Sequence, residues 1–322
     1  MSEMKKQWRD YNPNATRNIE LVVPPNCAGL RLDQALQRLM PECSRNRLQI
    51  WIREQRVWQN GAPAIAKRRV WGGEKIRVAT VPTAETLAHL PEDIPLDIVH
   101  EDDSLLVVNK PPGLVVHPGS GNWRGTLLNA LLKHSPALAE IPRAGIVHRL
   151  DKDTSGLLVV AKTLEAQTSL VRQLQARSVK REYVALVHGK VARDGLIEAP
   201  IGRHPHARTR MAVVARGKPA LTRYRVMERF AHCTLLHCQL ETGRTHQIRV
   251  HMQSAGHPLV GDPVYSAKMK TPAFSRQALH AFKLSLLHPK TQKTLHWQAE
   301  VPQDFQQLLD ALRAESDGKE KR

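Results

Sequence analysis

The chain has 322 residues, and its 48 lysines and arginines outnumber its 30 aspartates and glutamates to give a formal net charge of +18. Such an excess makes a polyanion the expected partner, while four Phe, four Tyr and six Trp are too few for extensive stacking on single-stranded bases. No apolar run approaches the roughly 18 residues that a membrane helix needs, and residues 1–19 lack the apolar core of a secretory signal, so the cytoplasm is the expected compartment, with no membrane partner.

The length has room for two domains, and the sequence divides in chain order. After a flexible tail at residues 1–19, a compact unit spans 20–80. The spacing of Leu32, Leu36 and Leu39 predicts one helix, and Ser44 caps a second that carries Leu48, Trp51 and Ile52. Asn60-Gly61 predicts a hairpin and Gly72-Gly73 a further turn. Arg45, Arg47, Arg53, Arg56, Lys67, Arg68 and Arg69 stud the polar sides. They suit phosphate contact, against the plain alternative of a basic helical cap. The pattern resembles the S4 RNA-binding module, which implies RNA binding by these residues.

A polar, proline-containing linker is expected at 81–95, and a second domain at 96–310. There the sequence predicts a strand at Leu105–Asn109, a turn at Lys110-Pro-Pro-Gly113, apolar residues Leu114–Val116 and a helix from Thr126 to Lys133. A helix bearing Ala166, Leu170 and Leu174 and a buried strand at Tyr183–Val187 follow. Long strands are expected to meet at Thr242-Gly243, with Thr245 capping a helix that carries Ile248 and Met252 and ends at Gly256 and Pro258. Residues 311–322 form a charged, frayed tail in this reading. The alternation gives a mixed α+β class. Cys27, Cys43, Cys233 and Cys238 lack paired spacing and read as buried free thiols. His246, His251 and His257 lack metal-ligand spacing, so no metal is expected.

The stretch from Arg143 to Gly156 carries the most chemistry. Between Ile146-Val147 and Leu157–Val160 lies a short polar turn, Asp151-Lys-Asp-Thr-Ser-Gly156, of the kind that holds side chains at a sheet edge. Taken alone, it is more readily a turn whose aspartates cap backbone donors. Four ordered blocks change that reading: His148-Arg-Leu-Asp151, Lys180-Arg-Glu-Tyr-Val-Ala-Leu186, Thr242-Gly-Arg-Thr-His-Gln-Ile-Arg-Val-His251 and His257-Pro-Leu-Val-Gly-Asp-Pro-Val-Tyr265. Together they resemble the pseudouridine synthases, in the branch that modifies large-subunit ribosomal RNA. The resemblance runs from about residue 20 to 310.

It implies a mixed, mainly antiparallel central sheet behind the S4-like unit, no cofactor, and ribosomal RNA, free or in a precursor particle, as partner. It implies Asp151 as the catalytic carboxylate, Arg249 as its ion-pairing cation and Tyr183 as the aromatic that stacks on the target base. Arg149 then fills the space left by a flipped uridine. His148 supports the loop or contacts RNA, and Arg244 suits phosphate contact or support.

The reaction explains why such groups are needed. Uridine becomes pseudouridine when the bond from C1′ to N1 breaks, the base rotates and C1′ joins C5, with no redox change. A carboxylate near C1′ stabilises or captures the positive charge on the sugar, and in a base-sized pocket it needs a nearby cation to stay ionised. Tyr183 carries a hydroxyl suited to loss of the C5 proton. The base must leave its stack for any of this to happen. Direct attack by Asp151 and removal of the 2′ proton both remain open, and Asp153 is the alternative carboxylate. Rival readings are a transfer RNA substrate, a non-catalytic ribosome-assembly protein and a nucleoside hydrolase.

Overall fold

The computed structural model describes residues 17–41, 43–80, 88–119, 121–207, 210–266, 269 and 272–320. The chain divides into two units, residues 1–89 and 90–322.

In the first unit the helical leucine spacing and the Asn-Gly turn act as read from the sequence. Its elements are β1 (Arg17–Val22), α1 (Leu32–Leu39), α2 (Arg45–Arg53), β2 (Val57–Gln59), β3 (Ala62–Pro63) and β4 (Lys75–Thr80). The strands form an antiparallel sheet in the order β1-β4-β2-β3. Leu32, Leu36, Leu48 and Trp51 meet Val57, Ile76 and Val78 in one core. The Arg47 N–H donates to Ser44 Oγ at 3.3 Å, capping α2. Asn60 and Gly61, at φ 51° and 82°, make the two-residue hairpin turn. β1 starts at Arg17, ahead of the expected boundary at residue 20, and residues 1–16 lie outside the described residues.

Asp33 locks this unit. Its carboxylate is fully buried and accepts from Arg31 at 3.1 Å, Arg45 at 2.9 Å and Gln49 at 2.5 Å, tying α1 to α2. Burial works to raise its pKa, but these three donors outweigh it and hold the carboxyl below the usual carboxylate range. Arg45, read as an RNA contact, is paired with Asp33 in the structure, an anion it shares with Arg31.

The second unit is α+β. It contains β5 (Ile98–Glu101), β6 (Leu105–Lys110), α3 (Leu127–His134), β7 (Ser155–Ala161), α4 (Leu164–Gln175), β8 (Lys180–His188), β9 (Gly195–Glu198), β10 (Ile201–Arg203), β11 (Met211–Val213), β12 (Leu221–Arg229), β13 (Cys233–Leu240), α5 (Gln247–Ser254), β14 (Leu279–Leu287), β15 (Thr294–Gln298) and α6 (Gln303–Glu320). Nine strands form the main sheet, ordered β5-β6-β7-β14-β8-β13-β12-β9 with β15 also on β14. The β7–β14 pair is parallel, and the other pairs are antiparallel. Both faces are covered, so the central strands are apolar throughout. Tyr183, Ala185 and Val187 pack with Leu236, Ile248 and Met252 on one face. Val184 and Leu186 pack with Phe305, Leu308 and Leu309 of α6 on the other. All four cysteines are buried and free.

Four local expectations need correction. β12 and β13 join at Phe230-Ala-His232, whose backbone closes with Phe230 N–H donating to Cys233 O. Thr242-Gly243 instead leads from β13 into α5. Thr245 does not cap that helix: His246 precedes it at φ 57° without a side-chain cap, and the Gln247 side chain accepts from Thr242 Oγ1 and Arg244 N. Residues 90–95, read as linker, belong to the second unit, where Ile94 packs on the core and Glu92 N–H donates to Asn129 O; residues 81–87 of that stretch lie outside the described residues. The segment from 311, read as a tail, is helical as far as Glu320, with Leu312 buried and Arg313 paired to Glu228 at 2.8 Å.

Replacing Asp33 by alanine leaves two arginines and a glutamine without their acceptor. The expected loss is about 2 kcal/mol of local stability, measured as faster hydrogen exchange of α1 and α2 amides with the second unit unchanged. Because the Asp33 pKa is lowered on folding, its contribution is present above the unfolded pKa and fades as pH falls through the folded one.

Candidate active site

Asp151 stands at the head of a turn that the fold pins from several sides. Thr154 N–H donates to Asp151 O at 3.1 Å, closing the turn. Lys110, at the end of β6, sends its ammonium to the carbonyls of Pro111, Leu114 and Lys152 at 2.7–3.0 Å. Three acceptors match the three donors of an ammonium, whereas burial pushes its pKa down to about 7 against the opposing pull of Asp153 and Asp151. The carbonyl count favours the charged form. Arg276 donates to Asp153 O at 3.1 Å, and Gln277 to Thr154 Oγ1 at 3.1 Å. At Gly156 the backbone has φ 113°, and a side chain would collide with Ala281 O of β14. Only glycine permits the close parallel approach of β7 and β14 here.

The fold brings Arg249 of α5 to this turn. Its Nη1 donates to Asp151 Oδ2 at 2.9 Å, while Nε and Nη2 grip Asp262 at 2.6 and 3.0 Å. Arg249 is 4 % exposed and Asp262 1 %. Burial opposes the charge on the guanidinium, but the two carboxylates outweigh it and raise its pKa. The bidentate pair with Asp262 fixes the plane of the fork and leaves Nη1 for Asp151. Asp262 is itself held, because Val264 and Tyr265 N–H groups donate to its Oδ1.

Two further rings frame the carboxylate. His246 Nε2 lies 3.9 Å from Asp151 Oδ1, and its Nδ1 meets the Tyr265 hydroxyl at 2.9 Å. Burial lowers the His246 pKa, and the Asp151 charge opposes that. Arg249 also lies over the Tyr265 ring, 5.1 Å from its centroid. Tyr183 is buried on β8. Burial raises its pKa and the charge of Asp151 raises it further, so the phenol is neutral near pH 7 and available as a hydrogen-bond donor.

The expected residues thus divide. Asp151 and Arg249 meet in a hydrogen bond, and Tyr183 lies near enough for the Asp151 charge to act on its hydroxyl. Arg149 is exposed beside it, close enough for its charge to lower the His246 pKa. His148 turns inward, accepting from Val159 N–H at 3.2 Å; burial drives it down to about 3, so it is neutral. That is loop support. Arg244 donates to Pro219 O at 3.0 Å and braces its turn. Asp153 contributes its backbone carbonyl to the Arg276 contact. Asp262, His246, Tyr265 and Lys110 were missed as site groups, although Asp262, His246 and Tyr265 stand inside quoted blocks.

In the first unit, Arg53, Lys67, Arg68 and Arg69 are exposed. Arg56 pairs with Glu54 at 3.0 Å, and Arg47 covers the Trp51 ring at 5.3 Å.

Comparison with known proteins adds the following. The sequence profile described as RNA pseudouridylate synthase matches residues 104–254. The chain is 60 % identical over 302 residues to the ribosomal large subunit pseudouridine synthase D of Nitrosomonas europaea, covering 92 % of this chain and 88 % of that one. The protein of the same name from Neisseria meningitidis serogroup A is 55 % identical, over 92 % and 83 % of the two chains, and that of Escherichia coli K12 50 % identical, over 91 % and 94 %. Among solved structures, human RNA pseudouridylate synthase domain containing 1 is 30 % identical with a TM-score of 0.52, over 69 % of this chain and 96 % of that one. Human RNA pseudouridylate synthase domain containing 4 is 26 % identical with a TM-score of 0.53, over 67 % and 92 %.

Asp262→Asn should lower turnover about a hundredfold, because Arg249 loses its bidentate anchor while Asp151 is untouched. Steady-state kinetics checks this, with RNA affinity expected to stay the same.

Proposed function

This chain belongs to the RNA pseudouridylate synthase family, and we propose on that basis that the uridines it isomerises to pseudouridine lie in large-subunit ribosomal RNA, with Asp151 as the catalytic carboxylate. The observation that carries the assignment of Asp151 is its hydrogen bond at 2.9 Å to a buried arginine that is otherwise fully engaged by Asp262. The names of relatives 50–60 % identical over nine-tenths of the chain support the ribosomal substrate.

In this reading a uridine flips out of its stack, and Arg149 enters the space it leaves. The base enters against Tyr183. As the bond from C1′ to N1 breaks, the ionised Asp151 meets the charge on the sugar, either bonding C1′ or taking the 2′ proton. Arg249 holds the carboxylate in place and ionised at little reorganisation cost. The turned base rejoins C1′ through C5, and the Tyr183 hydroxyl assists loss of the C5 proton. No step calls for a cofactor.

The first unit serves as an S4-like RNA-binding domain, and the exposed Arg53, Lys67, Arg68 and Arg69 are its cations for phosphate, Arg69 also donating to Gly29 O at 3.2 Å. Ribosomal RNA, free or in a precursor particle, is the partner, and the cytoplasm the compartment. Among the described residues no helix is long and apolar enough to cross a membrane.

Incubation with large-subunit RNA should produce pseudouridine without free uracil. Asp151→Asn should keep RNA affinity and lose at least about 99 % of turnover, since a near-isosteric amide cannot supply the charge. Residual activity near the parent value would pass the role to another carboxylate. Changing Arg53, Lys67, Arg68 and Arg69 together to alanine should weaken binding and flatten its log-log salt dependence by up to about four units. Saturating RNA should restore the rate, and failure to restore it would show that the first unit also positions the uridine.

A further inference from the structure

β8 carries two polar groups onto the site face, and Tyr183 is only one of them. Arg181 lies two residues before Tyr183, so both point to the same side of the sheet, the side whose core includes Leu150 and Ile248. Arg181 is 7 % exposed. Its guanidinium lies under the turn that leads into α5, with Nη1 2.6 Å from where a Cβ on Gly243 would stand. Its charge reaches Tyr183 and also His148, three residues before Asp151. Among the described residues its side chain has no hydrogen-bond or ion-pair partner, and its Nε is buried unsatisfied. Among the described residues the other two buried arginines of this unit are neutralised, Arg249 by Asp151 and Asp262 and Arg276 by Asp304. A buried cation without an anion is strongly disfavoured unless the counter-charge arrives with a ligand.

We propose that Arg181 is a further catalytic residue, which hydrogen-bonds the carbonyl edge of the target uracil and balances the negative charge the base acquires when its glycosidic bond breaks. The inference rests on the reading of the chain as a pseudouridine synthase acting through Asp151. When the bond from C1′ to N1 breaks, its electron pair leaves with N1, and the uracil anion spreads that charge over N1, O2 and O4. C1′ meanwhile bonds an Asp151 oxygen, or the proton on C2′ passes to Asp151 and the C2′–H electron pair forms a C1′=C2′ double bond. C5 of the turned base then forms the new bond to C1′, displacing Asp151 or with the 2′ proton returned to C2′. The C5 proton leaves and one proton ends on N1, so no oxidant or reductant is needed. A planar guanidinium offers paired N–H donors to such an edge. Phosphate is the other anion that RNA brings, but a cation this enclosed, on the same strand face as Tyr183, suits a flat base better than a hydrated backbone group.

The test compares full-length Arg181→Met and Arg181→Lys with the parent on one RNA substrate, reading single-turnover rate, Kd at several salt concentrations and melting temperature. Arg181→Met should lose about a hundredfold or more in rate, with Kd changed less than about threefold and an unaltered salt slope. Its melting temperature should stay the same or rise, since an unpaired buried charge has gone. Arg181→Lys, which keeps the charge, should retain more of the rate. Substituting 5-fluorouridine, whose more acidic N1 makes a better leaving group, should narrow the gap between Arg181→Met and parent in glycosidic cleavage. A rate within about threefold of the parent would overturn the proposal. So would a loss confined to Kd with a flatter salt slope, which would make Arg181 a phosphate contact, or a lower melting temperature in both variants, which would make it structural. A parent protein that forms no pseudouridine would overturn the functional reading, and the proposal with it.

Discussion

The site depends on one buried guanidinium held between two carboxylates. Arg249 cannot sit inside the protein alone, and a single carboxylate would satisfy only part of its fork. Asp262 takes two donors and is itself fixed by the backbone that follows it. The third contact falls on Asp151. The division gives the two acids different work: Asp262, sealed from solvent, neutralises and orients, while Asp151 keeps a side chain 16 % exposed and stays open to a ligand.

In the proposed reaction the Asp151 carboxylate meets a sugar carbon, and for that it needs a rigid support as well as a counter-ion. The backbone of the Asp151 turn is therefore held by Lys110 and Arg276, and its Thr154 hydroxyl by Gln277, from parts of the chain distant in sequence. Gly156 lets β7 lie against β14 directly beyond it. Cations thus brace the turn through carbonyl oxygens and leave the Asp151 carboxylate to Arg249. The positive field near the site is fixed in place before RNA arrives, which is the condition under which electrostatic stabilisation is most effective.

The net charge of +18 is spread over cations with different duties. Arg45 and Arg249 pair with the buried Asp33 and Asp262, Arg56 and Arg313 pair with surface glutamates, and Arg244 donates to a backbone carbonyl. Those left exposed, such as Arg149 and the group at Lys67–Arg69, are the ones able to exchange counter-ions for phosphates. Arg181 fits neither group, being buried and unpaired.

Local signals in the sequence were enough for the helices at Leu32–Leu39 and Arg45–Arg53, the Asn60-Gly61 turn and the capped helix after Thr126, because spacing, caps and turn chemistry act within a few residues. The α+β class was also legible, from alternating elements, and the wording of four blocks singled out Asp151, Tyr183 and Arg249, of which the structure joins Asp151 to Arg249 by a hydrogen bond. What the sequence could not place were the partners. Phe230-Ala-His232 carries no turn signal, yet closes a hairpin because β12 and β13 find register along their length. The pairing of Arg45 with Asp33 and the bracing by Lys110 are set by contacts across 12 and 42 residues. Asp262 and His246 join the site only when α5 and the 257–265 block fold over the Asp151 turn. Charge and residue type are written locally, but whether a cation meets a carboxylate, a carbonyl or nothing is decided by packing, and only the tertiary structure could decide it.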